Sequence, residues 1–220
     1  MSFQRIDAIV FDLDGTLVDS SRDLATATNA ALQRVAPQSP PIPHETVRGF
    51  VGDGARVLIE RSIRHARVDR AVDEVLPVFL ECYAACLLET TELYPGIRKA
   101  LDSLDDDLVL AVLTNKPGGF SRTILDDLGV GSRFSRVWGP DDAPARKPDP
   151  VGLLALVAEL GSDPGNTWMI GDSPVDVKTA RAAGVRVAGV TWGLDPEGVR
   201  QEGPDRLIDD PEELVSLATQ

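Results

Sequence analysis

Three aspartates crowd the stretch FDLDGTLVDS, Phe11 to Ser20, directly after a short apolar run. Asp12 and Asp14 are two residues apart, so if extended geometry continues past the run, both carboxylates project to one side, towards a common ligand. Like charges so placed repel, and the pair persists when one carboxyl keeps its proton or a cation sits between them. Either condition is a catalytic resource, and Gly15 allows the turn that follows. An oxygen-rich cluster with open coordination positions suits Mg²⁺, which prefers one or two carboxylates, water and a substrate phosphate.

A second acidic group lies in WMIGDSPVDV, with Asp172 at the end of another strand-like run and Asp176 four residues on. If the two runs are neighbouring parallel strands, Asp172 comes beside Asp12, in a site of up to four carboxylates. Taken alone, Ser173 to Asp176 read as an ordinary helix start, where hydroxyl and acidic side chains satisfy free N–H groups. Two further stretches bear on the choice. LTNKP, Leu113 to Pro117, puts Thr114 and Asn115 at the end of a third run, offering hydroxyl and N–H donors to phosphate oxygens, with Pro117 placed to open a helix. ARKPDP, Ala145 to Pro150, sets Lys147 among turn residues; alone it reads as a solvated loop lysine, but beside carboxylates it would neutralise phosphate and nucleophile together.

The elements that must position these groups alternate along the chain. Short apolar runs at Ile6 to Phe11, Leu108 to Leu113, Thr167 to Ile170 and Val185 to Val190 read as buried parallel strands. Helical patterns occupy Arg22 to Val35, Gly118 to Leu128, Pro150 to Leu160 and Val175 to Ala183, the last closed by Gly184. This is the pattern of a doubly wound α/β sheet, whose ligands bind beyond the C-terminal strand ends. After the Pro-rich PQSPPIP, apolar residues at Val72, Val75, Leu76, Phe79, Leu80, Tyr83 and Leu87 keep helical spacing, interrupted by Pro77, which should kink that helix or mark a new start. We therefore expect a core of residues 1–16 and 93–220, with a helical insert at 17–92 acting as a lid on two linkers.

The 220-residue chain, 43% hydrophobic and 26% charged, is large enough for one full core or a core with a satellite domain. Its net charge of −13 argues against nucleic acid, whose phosphate backbone needs clustered Lys and Arg. No apolar run approaches the roughly 18 residues of a membrane span. The N-terminal MSFQRIDAIVFDLDG lacks the features of a signal peptide, which makes the cytoplasm the default expectation. Cys82 and Cys86, four apart on a helical pattern, read as buried thiols rather than zinc ligands or a disulfide framework.

The set Asp12-Leu13-Asp14-Gly15-Thr16, Thr114, Lys147 and Gly171-Asp172 to Asp176 resembles the four ordered motifs of the haloacid dehalogenase superfamily of phosphotransferases. The resemblance covers essentially the whole chain, and the helical insert is similar to that family's C1 cap, over a Rossmann-like core. VGDGARVLIER, LYPGI, TNKP and KPDPVGLLALVAELG further resemble its phosphoglycolate phosphatase group. The resemblance implies hydrolysis of a small phosphorylated metabolite, 2-phosphoglycolate above others, by a monomer or homodimer. Asp12 would attack phosphorus to form an aspartyl phosphate, and Asp14 would protonate the leaving alkoxide and then activate water. Mg²⁺ would be held by Asp12, the backbone carbonyl of Asp14 and Asp172, with Asp176 as a further ligand or an outer support. Thr114, Asn115 and Lys147 would hold the phosphoryl oxygens. Asp14 also argues against the dehalogenases, which lack that acid/base group.

Substrate choice is expected in the insert. Six arginines, Arg48, Arg56, Arg61, Arg64, Arg67 and Arg70, face four acids between His44 and Arg70. Arg61, Arg64 and Arg67 read as one solvated helix face. Arg56, following the mobile-looking Gly52-Asp53-Gly54, is the better candidate for the leaving-group side, and would offset the extra charge of Asp53, which stands where relatives often carry Asn. Sugar phosphates, pyrophosphate or a phosphomutase outcome are the enzymatic alternatives; a receiver-like phosphoaspartate module is the alternative of another class. Asp19, with Ser20, reads as a cap for the helix near Arg22.

Overall fold

A computed structural model describes residues 6–218; the first five residues of the N-terminal stretch read for a leader lie outside the described residues. The chain forms two compact units, one made of Asp19–Glu92 and the other of the residues up to Val18 and from Leu93 onward. β1 (Ala8–Phe11) starts the larger unit, and β2 (Val18–Asp19) leads into four helices: α1 (Ser21–Val35), α2 (His44–Arg48), α3 (Ala55–Ala66) and α4 (Val72–Cys86). β3 (Glu92–Leu93), paired with β2, brings the chain back. There follow α5 (Ile97–Ser103), β4 (Val109–Leu113), α6 (Gly118–Asp127), β5 (Arg136–Trp138), α7 (Pro150–Glu159), β6 (Thr167–Gly171), α8 (Pro174–Ala183), β7 (Arg186–Val190), α9 (Pro196–Glu202), β8 (Arg206–Ile208) and α10 (Glu213–Ala218).

Among the described residues of the larger unit, parallel strands form one sheet in the order β5-β4-β1-β6-β7-β8. The strand order reverses beside β1, with β4 on one side and β6 on the other, which is where such sheets open a crevice for ligands. β1 and β6 are buried along their whole length, as expected of strands covered on both faces. One shared core joins Val10, Leu113 and Met169 of the sheet to Leu153, Leu156 and Val157 of α7 and to Val177 and Ala180 of α8. The edge strands β5 and β8 were not anticipated: each has three residues and begins with arginine, too short and too polar to register as an apolar run.

Helix ends follow local chemistry. Asp149 caps α7 by accepting a hydrogen bond from the Val151 N–H, with Pro150 in the first turn. Pro117 opens α6, and Gly184 closes α8 with φ of 67°. In the helical unit, α4 continues as one element through Pro77 instead of restarting there. Packing outweighs the missing donor, because Val75, Phe79 and Tyr83 on either side of it are buried and the rings of Phe79 and Tyr83 stack. Asp23 in α1 is buried and its carboxylate accepts from the backbone N–H and hydroxyl groups of both Thr90 and Thr91, tying the first helix to the unit's last residues. Asp19, rather than Ser20, supplies the capping oxygen for α1, to the Ser21 N–H at 3.0 Å. Cys82 and Cys86 are buried free thiols, and burial together with Asp23 pushes the Cys86 thiol up to about 11. No helix among the described residues is long and apolar enough to cross a membrane.

Candidate active site

The register of β1 against its neighbours builds the site. Phe11 is level with Val112 of β4 and Ile170 of β6, and Asp12 N–H donates to the Ile170 carbonyl at 2.8 Å, so the chain delivers Asp12 and Asp172 side by side just past the strand ends. Carboxylate oxygens of Asp12, Asp172 and Asp176, all buried, lie within 4.8 Å of one another. Two close backbone approaches make room for this. Gly15 has φ of +89°, and a Cβ there would stand 2.2 Å from Asp172 Oδ2; a Cβ on Gly193 would stand 2.3 Å from Asp172 Cβ.

Lys147 is the counter-charge. It is buried, and its Nζ lies 2.9 Å from Asp12 Oδ1 and 2.7 Å from Asp176 Oδ1. The lone-loop reading of this lysine is thereby overturned: buried between two carboxylates, it is part of the acidic cluster. Asp176 serves the start of α8 as its sequence suggested, its Oδ2 accepting from the Ser173 N–H and hydroxyl, while its Oδ1 takes Lys147. Asp172 is held from two sides, Oδ1 accepting from Thr16 Oγ1 at 3.2 Å and Oδ2 from the Leu194 N–H at 2.7 Å.

Burial sets the electrostatics. It pushes Asp12 up to about 6, with Lys147 pulling down and Asp176 adding to the rise. Asp172 is raised well above the usual carboxylate range, first by burial and then by Asp12 and Asp176. For Lys147 burial acts to lower the pKa, but Asp12 and Asp176 outweigh it and raise it, so the ammonium stays charged. One cation does not neutralise three crowded carboxylates. The remaining negative charge, the all-oxygen donors and the shifts of Asp12 and Asp172 fit a hard divalent cation such as Mg²⁺.

The structure gives Asp12 and Asp14 different lysine partners. β1 ends at Phe11, the chain turns, and Asp14 finds its own lysine: Lys116 Nζ donates to both Asp14 oxygens, at 2.9 and 3.0 Å. Thr114 and Asn115 follow β4 as expected, at the same end of the sheet. Thr114 Oγ1 accepts from the Lys116 N–H at 3.2 Å, and Asn115 Nδ2 donates to the Lys147 carbonyl at 3.1 Å, so this amide ties two loops together.

Sequence reading missed Lys116, although LTNKP displays it, and missed the loop after β7. There Trp192 Nε1 donates to the Thr16 carbonyl and Leu194 supplies the N–H to Asp172. A Trp-Gly pair at the end of an apolar run was the available signal. In the helical unit, Gly52 and Gly54 take φ of 121° and 90°, and Gly54 precedes α3. The offset expected of Arg56 is made by another residue: Arg61 pairs with Asp53, whereas Arg56 pairs with Asp73 on α4. The arginine face is accordingly divided, with Arg64 paired to Glu60 and Arg67 ending α3 in a left-handed conformation.

Comparison with known proteins agrees with this geometry. Residues 9–190 match the family described as haloacid dehalogenase-like hydrolase. A phosphoglycolate phosphatase of Pseudomonas putida is 40% identical over 214 residues, covering 94% of this chain and 78% of that one. One from Colwellia psychrerythraea is 36% identical over 223 residues, covering 98% of both. The crystal structure of a predicted phosphoglycolate phosphatase from Haemophilus somnus superposes with a TM-score of 0.91 at 32% identity, over 100% of both chains.

Proposed function

The chain belongs to the haloacid dehalogenase-like hydrolase family, and from that premise we propose that it is a Mg²⁺-dependent phosphate monoester hydrolase acting on 2-phosphoglycolate through an aspartyl phosphate. The observation that carries the reading is the buried Asp12, Asp172 and Asp176 cluster with Lys147 against Asp12. The substrate rests on the relatives named phosphoglycolate phosphatase.

In this mechanism an Asp12 oxygen attacks phosphorus, the P–O bond to the leaving group breaks, and Asp14 gives its proton to the departing alkoxide, yielding glycolate. Asp14 then takes a proton from water, whose oxygen attacks phosphorus and expels Asp12 as the free carboxylate with release of phosphate. The Thr114 hydroxyl, the N–H of Asn115 and the Lys147 ammonium hold the phosphoryl oxygens, where charge grows in each transition state. Asp12, the Asp14 carbonyl and Asp172 would hold Mg²⁺, which when bound neutralises the crowded carboxylates and polarises the phosphoryl group. Asp176, both of whose oxygens are engaged by Lys147 and Ser173, fits the outer support better than a ligand position.

We assign selectivity to the helical unit as the cap, through Gly52, Asp53, Gly54 and Arg56. Exposed ion pairs such as Arg56 with Asp73 contribute only about 0–1 kcal/mol, so a substrate anion can compete for that arginine. The test is phosphate release from a panel of monoesters with and without chelator. Turnover of 2-phosphoglycolate that stops on chelation supports the proposal. Activity that survives chelation contradicts the mechanism, and equal turnover of sugar phosphates removes the substrate assignment alone.

A further inference from the structure

We propose that Lys116 is a positioning residue for Asp14, fixing the direction in which that carboxylate gives and takes its proton. The inference rests on the reading of Asp14 as the acid/base group. Its carrier is the contact itself: one ammonium bonded to both oxygens of one carboxylate, at 2.9 and 3.0 Å, with the two side chains 4% and 12% exposed.

Asp14 has reason to need such a partner. It lies beyond the end of β1, where the chain turns: the Thr16 and Leu17 N–H groups bond back to the Leu13 carbonyl, and Gly15 N–H to that of Val18. Such a turn fixes the backbone of Asp14 but leaves its carboxylate to rotate about the side-chain bonds. Proton transfer falls steeply with misplacement, and an error near 1 Å costs about 100-fold. Contact with both oxygens from one side keeps the carboxylate facing the ammonium and so fixes its direction.

Lys116 is itself anchored. Its N–H bonds Thr114 Oγ1, Thr114 N–H bonds the Trp138 carbonyl of β5, and Pro117 starts α6 immediately after it. The sheet thus aims two lysines at two aspartates: Lys147 at the attacking group and Lys116 at the proton carrier. Lys147 belongs to the four motifs of the superfamily resemblance, whereas Lys116 lies only in the TNKP stretch of the narrower one. A purely structural alternative exists, in which Lys116 merely compensates a poorly solvated charge and has no bearing on rate.

A double-mutant cycle separates the two. Lys116→Met, Asp14→Asn and the double variant are compared by kcat and KM on 2-phosphoglycolate at saturating Mg²⁺, with thermal unfolding of each as a check on folding. Lys116→Met is expected to lower kcat about 100-fold with KM within about twofold, and the same substitution in the Asp14→Asn background to change kcat by less than about twofold. Lys116→Arg, which keeps the cation, is expected between wild type and Met, and carries the test if the Met variant does not fold. An equal loss in the wild-type and Asp14→Asn backgrounds overturns the inference, as does a rise in KM at constant kcat, which would make Lys116 a substrate-binding group. If Asp14→Asn alone retains full activity, the acid/base reading itself has failed.

Discussion

The ammonium of Lys147 stands 2.9 Å from Oδ1 of Asp12, and both side chains are buried. Removing one partner of a buried pair leaves an uncompensated charge, so Lys147→Met should lower stability by about 3–5 kcal/mol in chelator, read from urea unfolding. Mg²⁺ should recover part of that loss. Unchanged stability would mean that Asp12 is neutral in the folded protein without its lysine.

Metal and pH should be linked through the same cluster. Burial holds Asp12 near 6 against an ordinary value of 3.8, and Asp172 is raised as well. Between those limits the metal-free folded chain keeps a proton on Asp12 that the unfolded chain has released, so Asp12 makes folding less favourable as pH rises from about 4 through 6, and the raised Asp172 acts in the same direction. A bound cation requires both carboxylates ionised and displaces the protons. The Mg²⁺-induced rise in Tm should therefore grow between about pH 4.5 and pH 7. A rise independent of pH would contradict the assignment of Asp12 and Asp172 as metal ligands.

Gly193 tests the loop after β7. A side-chain carbon there would meet Asp172 Cβ at 2.3 Å and the Gly15 carbonyl oxygen at 2.4 Å, with backbone on one side that cannot move aside cheaply. Gly193→Ala should weaken Mg²⁺ binding by about 10- to 100-fold, as loss of outer support to a metal ligand does elsewhere. Calorimetric titration with Mg²⁺ measures this directly, and wild-type affinity would show that the loop does not orient Asp172.

Asp53 pairs with Arg61, and both are partly exposed. Asp53→Asn should leave stability within about 1 kcal/mol and remove a negative charge from the loop assigned to selectivity, lowering KM for 2-phosphoglycolate by up to about fivefold. A neutral-alcohol phosphate ester should show a smaller change. Identical changes for the two esters would count against selectivity through this loop.

The parts of the site that sequence displays are those tied to strand ends. Asp12, Thr114 and Asp172 each follow an apolar run, and parallel register then brings Asp12 and Asp172 together, because Phe11 is level with Ile170. What stayed hidden depends on where the backbone turns. The lysine that each aspartate takes is one such feature: beyond the end of β1 at Phe11, Asp12 pairs with Lys147 and Asp14 with Lys116. The Leu194 N–H and the closeness of Gly193 to Asp172 arise from a loop path that leaves no periodic trace. In the helical unit Asp53 takes Arg61 in place of the expected Arg56, whose own partner Asp73, on the next helix, is beyond the reach of local spacing rules.

The central claim, that Asp12 becomes phosphorylated, is tested most directly by trapping. In Asp14→Asn, where water activation is lost, the enzyme is mixed with a phosphate ester of a good leaving group and Mg²⁺, quenched in acid, reduced with borohydride and mapped by peptide mass spectrometry. The label should fall on the peptide containing Asp12, with none in Asp12→Asn. A label on another residue, or wild-type turnover with no trapped phosphoenzyme in any variant, would contradict the aspartyl phosphate mechanism.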